Sequence, residues 1–271
     1  MAHDTSDSGG GRRVARGRIA DHIVEDLRER ILSGELPDGS RLPAERELAD
    51  EYGVSGATVR EAVRVLSATG LLRVRHGSGT FVTAEPDTMI GMSVASVVRL
   101  EGAGVPDVLG ILGALTRYAA QLAARHASDE EIAALREAAE ELAMIDDVAR
   151  TQENLRTYLR RLIAMSHNAL LIPLCRLLVD VQIELAAEMS GGQLSEWRRV
   201  AGALHEDRIA IVEALESRSP EQAAQAADAY GHHAHQLAFT TLQAKEAEAL
   251  DPRYARLLAG IFTTRLGPTG Y

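Results

Sequence analysis

The sequence predicts a mainly α protein, an N-terminal winged helix-turn-helix followed by a C-terminal all-α antiparallel helical bundle. Three observations carry that class. Residues 41–83 hold two short amphipathic helical segments joined through Gly53-Val54-Ser55, then two strand-like segments around a glycine-rich turn. From Asp107 onward only helical periodicity occurs. Aromatic residues are only 4% of the chain, a poverty that favours closely packed helices over a β-rich fold.

In residues 18–33 an apolar stripe at Ile19, Ile23, Leu27 and Ile31, with Val24 beside it, predicts the first helix, ended by Gly34. GELPDGSRLP reads as a turn segment. Pro43 suits the first turn of the next helix, in which Leu48 and Tyr52 share a face. Gly53 stops that helix, because glycine readily takes the positive φ of a helix end. Ser55 is suited to cap the following helix, where Val59, Ala62, Val63 and Leu66 form the apolar face and Gly70 the end. Two helices across so short a turn make a helix-turn-helix. Ser55, Gly56, Ala57, Thr58 and Arg60 are expected to be exposed at the start of the second helix, where a groove-reading helix meets bases and phosphates. LLRVR and GTFVT then read as strands, with Leu72, Val74, Phe81 and Val82 apolar, around His76-Gly77-Ser78-Gly79. A hairpin after a helix-turn-helix is a wing.

LPAERELA, GVSGATVREAVRVL and GLLRVRHGSGTFV, in that order, resemble the GntR family of bacterial transcription regulators over residues 18–83. The resemblance implies a homodimer on a short palindrome of double-stranded operator DNA. It carries the family's DNA contacts onto Arg46, Ser55, Ala57, Thr58, Arg60, His76 and Gly77. Gly56 departs from the family, which usually has Arg there; such an Arg would read guanine for about 1–3 kcal/mol of discrimination. Bland readings stand beside these roles: Arg46 pairing with Glu45 or Asp50, His76 as a solvated turn residue, and Arg73 and Arg75 as ordinary strand-face charges.

The second half predicts about six helices of 15–25 residues with short loops, an antiparallel bundle. They are VLGILGALTRYAAQLAARHA, SDEEIAALREAAEELAMIDDVA, TQENLRTYLRRLIAMSHNALLIP, LCRLLVDVQIELAAEM, EWRRVAGALHEDRIAIVEALES and the helix opened by Ser219-Pro220. Ser128 with Glu131 forms a capping box. The expected divisions are a disordered basic arm at 1–17, the winged unit at 18–83, a linker at 84–106, an effector-binding and dimerisation domain at 107–248, and a tail at 249–271. The apolar MIGMSVASVV of the linker needs cover.

LTRYAAQLAARHASDEEIAAL, YLRRLIAMSHNALL and RIAIVEALESRSPEQAAQAADAY are similar to the FadR-type branch of the same family, with its FCD-like helical effector domain. Many members hold a divalent metal there through one Asp and three His. The resemblance puts Leu155 at the Asp position and Leu159, Arg208 and Tyr230 at the His positions. Leu112 and Thr116 stand at the positions of an Arg and an acid. Leu has no lone pair and Arg has none to give, so that metal set is missing and no cofactor is expected. Arg208 then stands as a permanent cation where relatives keep the metal. With Leu112, Leu155 and Leu159 it suits an anionic head on an apolar body, such as a fatty acid or acyl thioester. The alternative is a salt bridge from Arg208 to Glu184, Glu206 or another local acid. His205 and His233, each one turn from the family positions, could form a displaced metal site with Glu206 or Asp207, or simply a solvated face.

Composition bounds the rest. The net charge of −10 gives the nucleic-acid reading no support, so the motif carries it alone. Its contacts act within about 8–10 Å, a Debye length, so an acidic partner domain is compatible with it. One cysteine, Cys175, allows no internal disulfide and fits a cytoplasmic setting. No apolar run approaches a bilayer span, so no membrane is expected. No GxSxG, HExxH or phosphate loop occurs, and catalytic residues are expected to be none. The reading is a ligand-responsive repressor taking a small-molecule effector. Its rivals are a small-molecule-binding or scaffold protein whose winged helix serves protein contacts, and an activator with no ligand.

Overall fold

The computed structural model describes residues 9–75, 77–83 and 86–243. The chain divides into two compact units between Met92 and Ser93.

The first unit holds α1 (Gly9–Leu32), α2 (Glu45–Tyr52), α3 (Gly56–Ala68), β1 (Leu72–Arg75) and β2 (Gly79–Val82). Helix α1 packs on α3, its Ile23, Val24, Leu27 and Ile31 join the core of the unit, and Ala20 is buried as well. Ile19 is 46% exposed and so leaves the expected stripe; Ala20 takes its place, because 20, 23, 24, 27 and 31 follow the helical 3–4 spacing. Residues 9–17, expected as a disordered arm, are helical. Extending a nucleated helix backward needs only propagation, not a new nucleus. Pro43 stands just before the cap rather than in the first turn of α2: Ala44 is the N-cap, and its N–H donates to the Glu47 carboxylate at 2.7 Å.

Strands β1 and β2 pair antiparallel, Leu72 opposite Val82 and Val74 opposite Thr80. Val74 is 56% exposed, because only the base of the hairpin, at Leu72 and Val82, meets the core. The segment read as a plain turn joins the far side of β2: Leu42 N–H donates to Thr80 O at 2.8 Å and Val82 N–H to Ser40 O at 2.9 Å.

Helix α4 (Pro86–Glu101) forms where a linker was expected. Its apolar run is covered only in part, with Ala95 and Val98 buried and Val97 and Leu100 exposed. The second unit continues with α5 (Val105–His126), α6 (Asp129–Glu141), α7 (Val148–Ala164), α8 (Leu171–Ser190), α9 (Leu194–Ala203), α10 (His205–Glu216) and α11 (Pro220–Gln243). Central α5 packs against α7, α8, α10 and α11. Ala119, Ala120, Ala123 and Ala124 on α5, with Ala223, Ala224 and Ala227 on α11, are all buried, and such small faces let helices approach closely. The expected Ser128 box caps α6: Ser128 Oγ accepts from Glu131 N–H and Glu131 from Ser128 N–H.

Several expected boundaries move. Leu171, Ile172 and Pro173 open α8 instead of closing α7, which ends at Ala164. MIDDVA does not extend α6, because Asp147 caps a new helix by accepting from Arg150 N–H at 2.8 Å. EWRRVAGALHEDRIAIVEALES is two helices, broken at buried Leu204 just after Gly202, a weak helix former. The tail at 249–271 lies outside the described residues.

Candidate DNA-reading edge and effector cavity

The candidate recognition helix is α3, the second helix of the helix-turn-helix. Gly53 ends α2 at φ 64, the left-handed turn the motif requires, and Ser55 caps α3 by accepting from Thr58 N–H. Ser55, Ala57, Arg60 and Arg46 are exposed. Thr58 is not: it is 5% exposed, and its hydroxyl lies 3.0 Å from that of Ser55. It stands four residues before Ala62 and eight before Leu66, on the stripe that faces the core. The expectation of an exposed Thr58 is therefore corrected, and its hydroxyl holds the cap instead. Arg60 stays 59% exposed and pairs with Glu45 at 3.2 Å across the two helices of the motif. A pair so exposed is worth about 0–1 kcal/mol, little resistance to an incoming phosphate or base. Glu45, offered by the sequence as a partner for Arg46, is thus taken by Arg60.

On the wing, Gly77 is exposed at φ 74, and His76 lies outside the described residues. The Arg75 guanidinium sits 4.9 Å over the Phe81 ring. Arg41 was not singled out from the sequence, yet its guanidinium packs on Gly79 so closely that a Cβ there would meet Nε at 2.8 Å. Its only sequence signal is a place beside the LPAERELA run. The wing pairing alone brings it to the tip.

In the second unit α5, α7, α8, α9, α10 and α11 line a cavity of about 130 Å³. Leu112, Thr116, Leu155, Leu159, Arg208 and Tyr230, the six positions singled out from the sequence, all line it. They come from four helices, and Gly113 and Gly231 let α5 and α11 meet at its wall. Thr116 Oγ1 is already donated to Leu112 O at 2.8 Å.

Arg208 is fully buried. Its Nη2 donates to Ala201 O at 2.7 Å, while Nε and Nη1 make no hydrogen bond among the described residues. Among the described residues no salt bridge to it forms: Asp207 beside it is held by His233 Nδ1 at 2.7 Å. The salt-bridge alternative for Arg208 is corrected, because α10 turns Asp207 toward α11 and Arg208 toward the cavity. Tyr158 donates to Arg208 O at 3.2 Å. Burial pushes the Tyr230 phenol above its ordinary range, partly offset by the neighbouring guanidinium, so it stays neutral.

Sequence reasoning missed Trp197, Gln182, Ser190, Glu196 and His235 in the lining. Trp197 is 4% exposed, and its Nε1 is buried with no hydrogen-bond partner among the described residues. Being the chain's only tryptophan was its one signal, and that signal fits a core residue equally well.

The residues do not fit the metal that the resemblance implies. Among the described residues no group of three or more His, Cys, Asp or Glu side chains is placed to hold one. His233 is engaged with Asp207, and His205, with its Nδ1 buried and unpaired, joins no ligand set, so the displaced site does not assemble. Burial raises the Cys175 thiol to about 11, so it rests protonated and unreactive.

A winged helix with a cation-bearing recognition helix, on one chain with a helical unit built around a cavity, defines a DNA-binding transcription regulator rather than an enzyme. The model of "Bacterial regulatory proteins, gntR family" matches residues 19–82, and that of the FCD domain matches residues 107–233. The chain belongs to the GntR family, in the FadR-type branch with a C-terminal FCD domain. It is 34% identical over 155 residues to the uncharacterized HTH-type transcriptional regulator Rv0494 of Mycobacterium tuberculosis, a match taking in 56% of this chain and 64% of that one. It is 29% identical over 220 residues to the HTH-type transcriptional repressor NanR of Salmonella newport, covering 78% of this chain and 82% of that one. A GntR protein of Streptococcus agalactiae shares the fold, with TM-score 0.59 and 24% identity over 80% of this chain and 99% of that one. Among the described residues no helix is long and apolar enough to cross a membrane.

Proposed function

We propose that the protein is a homodimeric cytoplasmic repressor released from its operator by a small anionic effector, a carboxylate or acyl compound, held in the second unit. One observation carries the reading: a fully buried guanidinium with two unpaired nitrogens in an otherwise largely apolar cavity. Leaving a buried charged donor unpaired costs about 1–3 kcal/mol or more, a cost that an anionic oxygen would remove. Arg46, Ser55, Ala57, Arg60, His76 and Gly77 would touch the operator, with Arg60 leaving Glu45 for DNA. Two copies would set two recognition helices in successive major grooves, on half-sites about one helical turn apart or closer. Release requires the effector to favour the DNA-free arrangement, and couplings of this kind are typically about 5–150-fold. The similarity to a named repressor supports the sign of regulation.

The test is a gel shift on the promoter of the protein's own operon, over a salt series, with carboxylic acids added singly. Specific binding that weakens steeply with salt and is relieved by an acid in wild type but not in Arg208→Met is expected. Sequence-independent binding would favour a winged helix used for protein contacts.

A further inference from the structure

In a chain of net charge −10, the wing and the segment paired to it carry positive charge only: residues 39–43 and 70–83 hold three arginines and no Asp or Glu. The backbone gathers those arginines on one face. Directly opposed residues of an antiparallel pair point to the same side of a sheet. Arg73 stands opposite Phe81 and Arg75 opposite Gly79, while Arg41 bridges to Phe81 from the other edge of β2. Leu72 and Val82 take the opposite, core-facing side. Arg41 and Arg75 are exposed, and among the described residues none of the three arginines forms an ion pair. Arg28, Arg30, Arg60 and Arg64 of the same unit each have an acid partner.

Two of the three are also held in place. Gly79, at φ 108, has no Cβ, and the Arg41 guanidinium occupies the gap: a Cβ there would lie 2.8 Å from Nε, 3.1 Å from Nη2 and 3.3 Å from Cζ. Across the hairpin the Arg75 guanidinium rests over the Phe81 ring at 4.9 Å, a cation–π distance. A long side chain already fixed has less rotamer freedom to lose when it grips a partner. Fixed cations without acids beside them suit an extended polyanion, and for a winged helix that polyanion is the DNA backbone.

Resting on the DNA-binding reading above, we propose that this outer face of the wing is a phosphate-binding site beyond the contacts carried over from the family, with Arg41 and Arg75 each meeting one phosphate. Gly79 is the seat of Arg41 and acts in DNA binding only through that guanidinium. The two contacts fix how the wing lies along the duplex and carry no base preference.

The experiment is fluorescence anisotropy of the full chain on a labelled duplex of scrambled sequence across a salt series, each variant being checked for wild-type helix content and melting. Each phosphate contact contributes about 0.9 to the slope of log affinity on log salt. Arg41→Gln and Arg75→Gln are each expected to lower the slope by about one unit per bound copy. Arg150→Gln, the same loss of charge at an exposed position of α7, should leave it unchanged. Gly79→Ala should match Arg41→Gln, and combining the two should change nothing further. An unchanged slope in either wing-arginine variant would overturn the inference, as would Gly79→Ala acting in full on the Arg41→Gln background. Alanine is strained at φ 108, so a Gly79→Ala chain that does not fold is replaced by Arg41→Lys, which keeps the charge but has no planar group to lay on the glycine. That variant should keep the slope and bind several-fold more weakly; wild-type affinity there overturns the seat. A wild-type chain with no salt-sensitive affinity for the duplex would instead bring down the DNA-binding reading.

Discussion

Arg60 and Arg208 carry the same guanidinium in opposite settings. Arg60 is 59% exposed at the start of the recognition helix and shares a loose pair with Glu45. Water solvates both partners, so the pair forms and parts at little cost. Arg208 is fully exposed to none of that water, lacks a carboxylate partner, and keeps two nitrogens unpaired. The first unit thus presents its chemistry outward on a framework of local motifs, and the second encloses its chemistry among helices far apart in sequence. A surface cation is available to DNA without distorting the fold. A buried one is a standing liability unless something fills the space beside it.

The contrast can be broken by substitution. Leu66→Ala removes a side chain with no exposed surface from the first unit's core and should destabilise that unit by about 2–5 kcal/mol, read from its melting transition. Arg208→Met should do the reverse, raising apo stability by up to about 1–4 kcal/mol while abolishing acid-induced stabilisation. A large loss of stability there would show that the guanidinium is structural. Arg60→Ala should weaken operator binding by about 1–3 kcal/mol with no change in melting temperature, measured by gel shift and calorimetry. Ser55→Ala should cost about 1 kcal/mol of stability, because it removes the acceptor that caps α3.

The smallest effect is one of pH. The hydrogen bonds from His167 and from Ser128 N–H hold the Glu131 carboxyl below its usual range. A depressed folded-state pKa stabilises the fold above the ordinary carboxylate value of about 4.3, and that contribution is lost as pH falls through the lower folded value. Glu131→Gln should therefore flatten the acid side of the stability profile, with little change in its slope near neutrality, as followed by melting temperature across acidic buffers.

The two units also differed in how much of them the sequence disclosed. The helix-turn-helix and its wing were legible because each step is a local signal: Gly53 for the left-handed turn, Ser55 for the cap, and Leu72 and Val82 for the hairpin base. Thr58 was misplaced because a small polar residue at a helix start suits the surface and the cap equally, and only its phase with Ala62 and Leu66 decides. The six cavity positions were named through family resemblance, and the structure brings them around one cavity. Trp197 escaped because its distinction is an unpaired N–H, a property of its surroundings rather than of its residue type.

By itself, the amino-acid order determined the architecture and the helix-turn-helix with its wing, since turn chemistry, caps and apolar periodicity act between residues a few positions apart. Tertiary structure alone decided that Arg208 has no salt-bridge partner among the described residues, that Asp207 turns to His233, and that a tryptophan from another helix shares the cavity. The reason is physical. A partner's identity depends on which faces of distant helices meet, and a break such as that at Leu204 resets the facing of every residue after it.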